Sequence, residues 1–163
     1  MTEKYIVRVT KDHLVFSSGH FITFNGDQCE RLHGHNYRVA VTVEGPLDSN
    51  HYVFDFIALK DLTQKITDHL DHRMMLATRN PLIKVEEKPG SVRVTYHSKE
   101  WVFPREDCIL LPIENTTAEL LARYIGQQLL KDLKKEKHYQ PEILRVEVEE
   151  NVGQSATYIW SAS

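Results

Sequence analysis

The run Cys29-Glu30-Arg31-Leu32-His33-Gly34-His35-Asn36-Tyr37-Arg38-Val39-Ala40-Val41-Thr42-Val43-Glu44 decides how this chain is read. From Asn36 it alternates. Tyr37, Val39, Val41 and Val43 fall on one face, and Arg38, Ala40, Thr42 and Glu44 on the other. Side chains along a strand point to opposite faces in turn, so this is a half-buried antiparallel strand. Gly45-Pro46 ends it. The same period places His33 and His35 on one face, with Gly34 between them leaving room for close approach. Two imidazoles side by side at a strand start can hold one Zn2+.

Upstream, residues 5–9 and 14–20 are strand-like, and Leu14, Phe16, Ser18 and His20 share a face. Pairing of the second run with the His33–Glu44 strand makes His20 the best third ligand. Three His leave a coordination position open, as in a catalytic zinc site. Cys29, in the polar loop Asp27-Gln28-Cys29-Glu30-Arg31, is spaced to be a fourth ligand or a thiol that ionises beside Zn2+ and Arg31. Asp71-His72 is a second signal, because a carboxylate beside a His orients it and raises its basicity. Asp68-His69 shows the same dipeptide arising within a helix, and Cys108 sits in an apolar run and reads as core.

Asp55 is a helix N-cap, and Phe56, Leu59, Ile66 and Leu70 recur at helical spacing over 56–70. Thr116 with Glu119 forms a capping box that opens a second helix through about Leu133. Lys131 to Lys137 reads as a charged helix end and linker. Ile143 to Glu150 alternates, with Leu144, Val146 and Val148 on the face that carries Glu150, and 156–160 is a last short strand. Val92, Val94 and Tyr96, then Trp101 and Phe103, flank Ser98-Lys99-Glu100 as a β-hairpin. Strands grouped in antiparallel runs with two helices on one face make an α+β domain.

The chain has 163 residues, one domain's length, so 1–163 is expected to be a single domain. Its net charge of -3 lacks the basic excess of a nucleic-acid binder. No apolar run is long enough for a membrane span. Met1-Thr2-Glu3-Lys4-Tyr5 lacks the apolar stretch of a signal peptide. Two Cys argue against a disulfide scaffold and for a reducing cytoplasm. Nine His are the compositional oddity.

Cys29-x-x-x-His33-Gly34-His35, with His20 upstream, resembles the zinc and catalytic motif of the 6-pyruvoyltetrahydropterin synthase family. It is most similar to the bacterial 6-carboxytetrahydropterin synthase branch of the queuosine pathway. Asp55-Phe56-x-x-Leu59-Lys60, Leu70-Asp71-His72, Thr116-Thr117-Ala118-Glu119 and Glu149-Glu150 follow in the family's order. The resemblance covers nearly the whole chain except about residues 79–112. It implies the tunnelling fold (T-fold), a four-stranded antiparallel sheet with two helices on one face, here with a β-hairpin inserted at 79–112. It also implies subunits joined in trimeric barrels that stack into a homohexamer.

Carried over residue by residue, the resemblance makes His20, His33 and His35 the zinc ligands. Cys29 becomes the catalytic thiol and Asp71 with His72 the proton-relay pair. Glu150 becomes the pterin anchor, with Thr116 and Thr117 in the pterin-contacting region. The implied substrate is 7,8-dihydroneopterin triphosphate. The 6-carboxy branch cleaves its side chain, releasing acetaldehyde and triphosphate, whereas the 6-pyruvoyl branch eliminates triphosphate and keeps the side chain. A further branch replaces the Cys by Glu and makes 6-hydroxymethyl-dihydropterin. Glu30 beside Cys29 departs from the 6-carboxy pattern and allows either reaction. A non-catalytic pterin- or zinc-binding module would bind without turnover, and a structural zinc domain would need four protein ligands.

Overall fold

The computed structural model describes residues 3–163, so Met1 and Thr2 lie outside it. The strands are β1 (Tyr5–His20), β2 (Thr23–Phe24), β3 (Gln28–Cys29), β4 (His33–Gly45), β5 (Arg73–Ala77), β6 (Lys84–Lys88), β7 (Ser91–Tyr96), β8 (Lys99–Pro104), β9 (Cys108–Leu111), β10 (Ile143–Asn151) and β11 (Gln154–Ser161). The helices are α1 (Phe56–Leu70) and α2 (Ala118–Lys137). Among the described residues no helix is long and apolar enough to cross a membrane.

The main sheet has the order β11-β10-β4-β1-β5-β9. Its first four strands pair antiparallel. β5 runs parallel to β1, and β9 parallel to β5. The expected four-stranded antiparallel sheet is therefore corrected to a mixed sheet of six. The two added strands are short apolar runs without alternation, the pattern of strands buried on both faces. Met75 and Ala77 face the main core, while Met74 and Leu76 face a second, smaller cluster.

Leu59, Leu62, Ile66 and Leu70 of α1 and Leu121, Ile125, Leu129 and Leu133 of α2 share one core with the inward residues of β1, β4 and β10. The Asp55 carboxylate caps α1, accepting from the N–H groups of Ile57 and Ala58 at 2.7 and 3.0 Å. At α2 the cap is Thr117, which accepts from Leu120 N–H at 3.4 Å, rather than the expected Thr116. α2 continues through the charged Lys131–Lys137 segment, where Lys134, Lys135 and Lys137 suit the negative end of the helix dipole.

The two strand-like runs before residue 21 form one strand with an irregularity. Between the pairs Thr10–Ala40 and Val15–Arg38, β1 advances five residues while β4 advances two. An odd excess switches the face of everything beyond it. Val7 and Val9 are buried before it, and Leu14, Phe16, Ser18 and His20 after it.

The expected hairpin is β7–β8, and β6 adds a third strand to make a separate antiparallel sheet over the second cluster. Gly126 lets α2 settle on β10 and β11, because a Cβ there would lie 2.6 Å from Tyr158. Gly126→Ala is expected to destabilise the protein by about 1–3 kcal/mol through overpacking, read as a lower denaturant midpoint.

Candidate active site

Strand pairing builds the centre of the site. His20 lies directly across from His33, Gly19 from Gly34, and Ser18 from His35. The ligand nitrogens of His20, His33 and His35 all fall within 4.8 Å of one another. His20 is buried, His35 half-buried and His33 exposed.

The tautomers follow from fixed acceptors. His20 Nδ1 donates to the Thr116 carbonyl at 2.9 Å, with the Thr116 hydroxyl 3.2 Å away. His33 Nδ1 donates to the Arg31 carbonyl at 2.8 Å. A carbonyl only accepts, so each ring's proton is on Nδ1 and Nε2 carries a lone pair. The two Nε2 atoms face each other at 3.2 Å. Two lone pairs at that distance repel unless a cation lies between them. Two nitrogens on one tetrahedral zinc at 2.0–2.1 Å would sit about 3.3 Å apart. His35 Nε2 is buried without a hydrogen-bond partner among the described residues. These donors fit a divalent ion that favours imidazole. Burial lowers the pKa of His20 to about 4, with the Thr116 carbonyl opposing and His33 and His35 adding to the fall. A neutral ring is the form that binds metal.

Two carboxylates flank the cluster. Glu150, near the end of β10, places Oε1 3.4 Å from His35 Nε2. Glu30 places Oε2 4.0 Å from His33 Nε2, and the same oxygen accepts from Ile22 N–H at 3.0 Å. Cys29 is half-buried and packs against the second cluster, its thiol donating to the Glu30 carbonyl at 3.4 Å. Burial raises the thiol's pKa, with Lys99 of β8 acting the other way. Of the two neighbours, Glu30 is thus the one brought to the His cluster. Lys99, rather than Arg31, is the cation felt by Cys29.

Asp71 and His72 do form a pair, with His72 Nδ1 2.8 Å from Asp71 Oδ2. The other Asp71 oxygen accepts Ser17 N–H at 2.8 Å, and His72 N–H donates to the Ser17 carbonyl at 2.7 Å. Burial pushes the Asp71 carboxyl up, but the bonds from Ser17 and His72 outweigh it and hold its pKa below the ordinary value. The His72 side chain is 82% exposed. It borders a shallow concavity whose lining includes Ser17, Ser18, Gly19, Gly34, His35, Asn36 and Arg73. By strand alternation Ser17, Gly19, Gly34 and Asn36 present the face opposite to the three His. The pair and the cluster therefore belong to different sheet faces of one chain.

Thr116 is buried against His20, and Thr117 caps α2. On spacing alone Tyr37 is a core-facing strand residue. Its ring packs edge-on to His20 and His35, with centroids 5.8 and 5.4 Å away, and its buried hydroxyl has no partner among the described residues. Burial, helped by Glu150 and Glu30, raises its pKa. The signal was in the sequence, since Tyr37 continues the parity of His33 and His35.

Residues 8–159 match the family described as 6-pyruvoyl tetrahydropterin synthase. A Methanocaldococcus jannaschii protein with the provisional name 6-carboxy-5,6,7,8-tetrahydropterin synthase is 36% identical over 89% of this chain and 89% of its own. The 6-carboxy-5,6,7,8-tetrahydropterin synthase of Aquifex aeolicus is 29% identical over 77% of this chain and 73% of its own. Among solved structures, 6-pyruvoyltetrahydropterin synthase of Plasmodium vivax superposes with a TM-score of 0.91 at 30% identity, covering 99% of this chain and 100% of that one. Two further structures of that protein carry replacements of a glutamate described as a catalytic residue.

Proposed function

Because the chain belongs to the 6-pyruvoyl tetrahydropterin synthase family, we propose that it is a zinc-dependent lyase, a single domain over 1–163 that works in the cytoplasm. It converts 7,8-dihydroneopterin triphosphate to 6-carboxy-5,6,7,8-tetrahydropterin, with release of acetaldehyde and triphosphate. The observation that carries this reading is the convergence of three imidazoles, two of which, His20 and His33, are locked as Nδ1–H tautomers with Nε2 free to bind. The names of the relatives favour the 6-carboxy product.

His20, His33 and His35 hold the Zn2+, which supplies Lewis acidity toward the substrate's side-chain hydroxyls. Glu150 accepts the amino group and ring N–H of the pterin, two parallel donors that match a carboxylate. Thr116 fixes His20, and with Thr117 it borders the pterin. Cys29 moves a proton at the side-chain carbons, and His72, oriented by Asp71, moves another. The Asp71–His72 pair borders the opposite sheet face, so we place it against the His cluster of a neighbouring copy, in a homotrimer or hexamer.

A second reading rests on Glu30. Its carboxylate is 4.0 Å from His33, whereas the Cys29 thiol turns to the second cluster. A Glu acting as base gives the 6-hydroxymethyl-dihydropterin product, and a family member can also form the 6-pyruvoyl product. Metal-loaded protein incubated with dihydroneopterin triphosphate separates these by product mass. The lead expects acetaldehyde and the 6-carboxy product, lost in Cys29→Ala and retained in Glu30→Gln. Loss in Glu30→Gln alone, with a 6-hydroxymethyl product, establishes the second reading. Pterin and zinc binding with no product leaves a non-catalytic binding module.

A further inference from the structure

β2 and β3 share two paired positions, Thr23 with Cys29 and Phe24 with Gln28. A two-stranded ribbon that short does not hold itself in water. The placement of Cys29 and Glu30 therefore depends on what the ribbon docks against. Its base is tied to the body of the protein. Asn115 accepts from Thr23 N–H at 3.3 Å and donates to the Thr23 carbonyl at 2.9 Å, and Asn80 donates to the Thr23 hydroxyl at 3.0 Å.

The tip is tied to the inserted sheet. Asn25 and Gly26 turn the chain with φ of 47° and 81°, which delivers Asp27 to the turn between β7 and β8. The Tyr96 hydroxyl donates to the Asp27 carbonyl at 2.8 Å and lies 3.1 Å from its carboxylate. His97 Nε2 donates to the same carboxylate at 2.9 Å. Below them Phe21 stacks on Trp101 at 4.5 Å and 20°, and Cys29 packs against the cluster that includes Phe21 and Tyr96. The exposed His97–Asp27 pair contributes little alone. Tyr96, buried and anchored in that cluster, makes the grip directional.

We propose that the inserted sheet β6–β8 is part of the catalytic apparatus, with Tyr96 and His97 as positioning residues. Acting through Asp27, they hold in place the ribbon that carries Cys29 and Glu30, with the Glu30 carboxylate 4.0 Å from His33. The kinetic arm of this proposal rests on the reaction proposed above, and its structural arm does not. A group that transfers a proton must sit within hydrogen-bond reach, and a misplacement near 1 Å lowers the rate steeply.

The test uses the full-length, zinc-loaded protein carrying Asp27→Ala with Tyr96→Phe, a change that keeps the ring in its cluster. Turnover (kcat) is expected to fall about ten- to a hundredfold with KM and zinc content unchanged. Amide exchange over residues 25–30 is expected to quicken more than about tenfold while β10 is unaffected. Asp27→Asn, which keeps an acceptor oxygen, is expected to retain most of the rate. Unchanged exchange overturns the proposal, as does an unchanged kcat, a joint loss of zinc and rate, or no rescue by Asp27→Asn. Absence of turnover in the unsubstituted protein overturns the proposed reaction alone, and the exchange measurement then decides whether the sheet holds the ribbon.

Discussion

Replacing His35 with alanine is expected to leave the purified protein without bound zinc and to lower turnover by more than about a hundredfold. His35 Nε2 is buried and without a hydrogen-bond partner among the described residues, and the Glu150 carboxylate lies 3.4 Å from it. Removing the ring leaves His20 and His33 as a two-nitrogen site, below the three protein ligands of a catalytic zinc. It also leaves Glu150 without its neighbour. The exposed His13, in the irregular part of β1, provides the control, and His13→Ala is expected to keep its metal. Metal content by emission spectroscopy and product formation by mass check both. A full complement of zinc in His35→Ala would remove this residue from the ligand set.

Acid has the second-largest expected effect, on the metal-free protein. Burial holds the pKa of His20 down to about 4, against an ordinary value of 6.5. Between those values the unfolded chain takes up a proton at this position that the folded chain does not. Stability therefore rises with pH across that window. It is fully present above about pH 6.5 and is lost as pH falls through about 4. A shift of this size corresponds to roughly 3 kcal/mol. Urea unfolding of chelator-treated protein at pH 7 and pH 4.5 measures it. His20→Gln is expected to flatten the dependence. Zinc, which binds the neutral ring, is expected to add stability at pH 7 and progressively less toward pH 4.5. Equal stability of the metal-free protein at both values would show that His20 titrates normally.

Much of the frame was legible because one face of it is buried. Tyr37 to Val43 and Leu144 to Val148 alternate since helices cover one side of the sheet and not the other. Asp55 and the α1 stripe carried enough local information to place that helix. β5 and β9 were missed because a strand apolar on both faces has no period to read. The cap of α2 was misplaced by one residue for a tertiary reason. Thr116 and Thr117 are equally able to cap, and the contact with His20 takes the first of them. The three His were readable from strand parity. Which of Cys29 and Glu30 faces them was not, because neighbours on a strand point to opposite sides. Pairing of β3 with β2, not spacing from His33, decides that. The third strand of the smaller sheet, β6, is charged and short, and its pairing with β7 depends on the packing of Val92 and Val94 beneath.

The irregularity in β1 has a consequence for how this part of the chain can vary in length. Val7 and Val9 point inward on odd numbers, and Leu14, Phe16 and His20 on even ones. Segment 11–14 thus works as a phase shifter between two halves of one strand. Shortening it by one residue would carry His20 through the sheet to the side where the Asp71–His72 pair lies, although every ligand would still be encoded. Removing two would leave the metal cluster's orientation intact. The site is specified by arithmetic as well as by chemistry, and three exposed residues, Lys11 to His13, hold the count together with the buried Leu14.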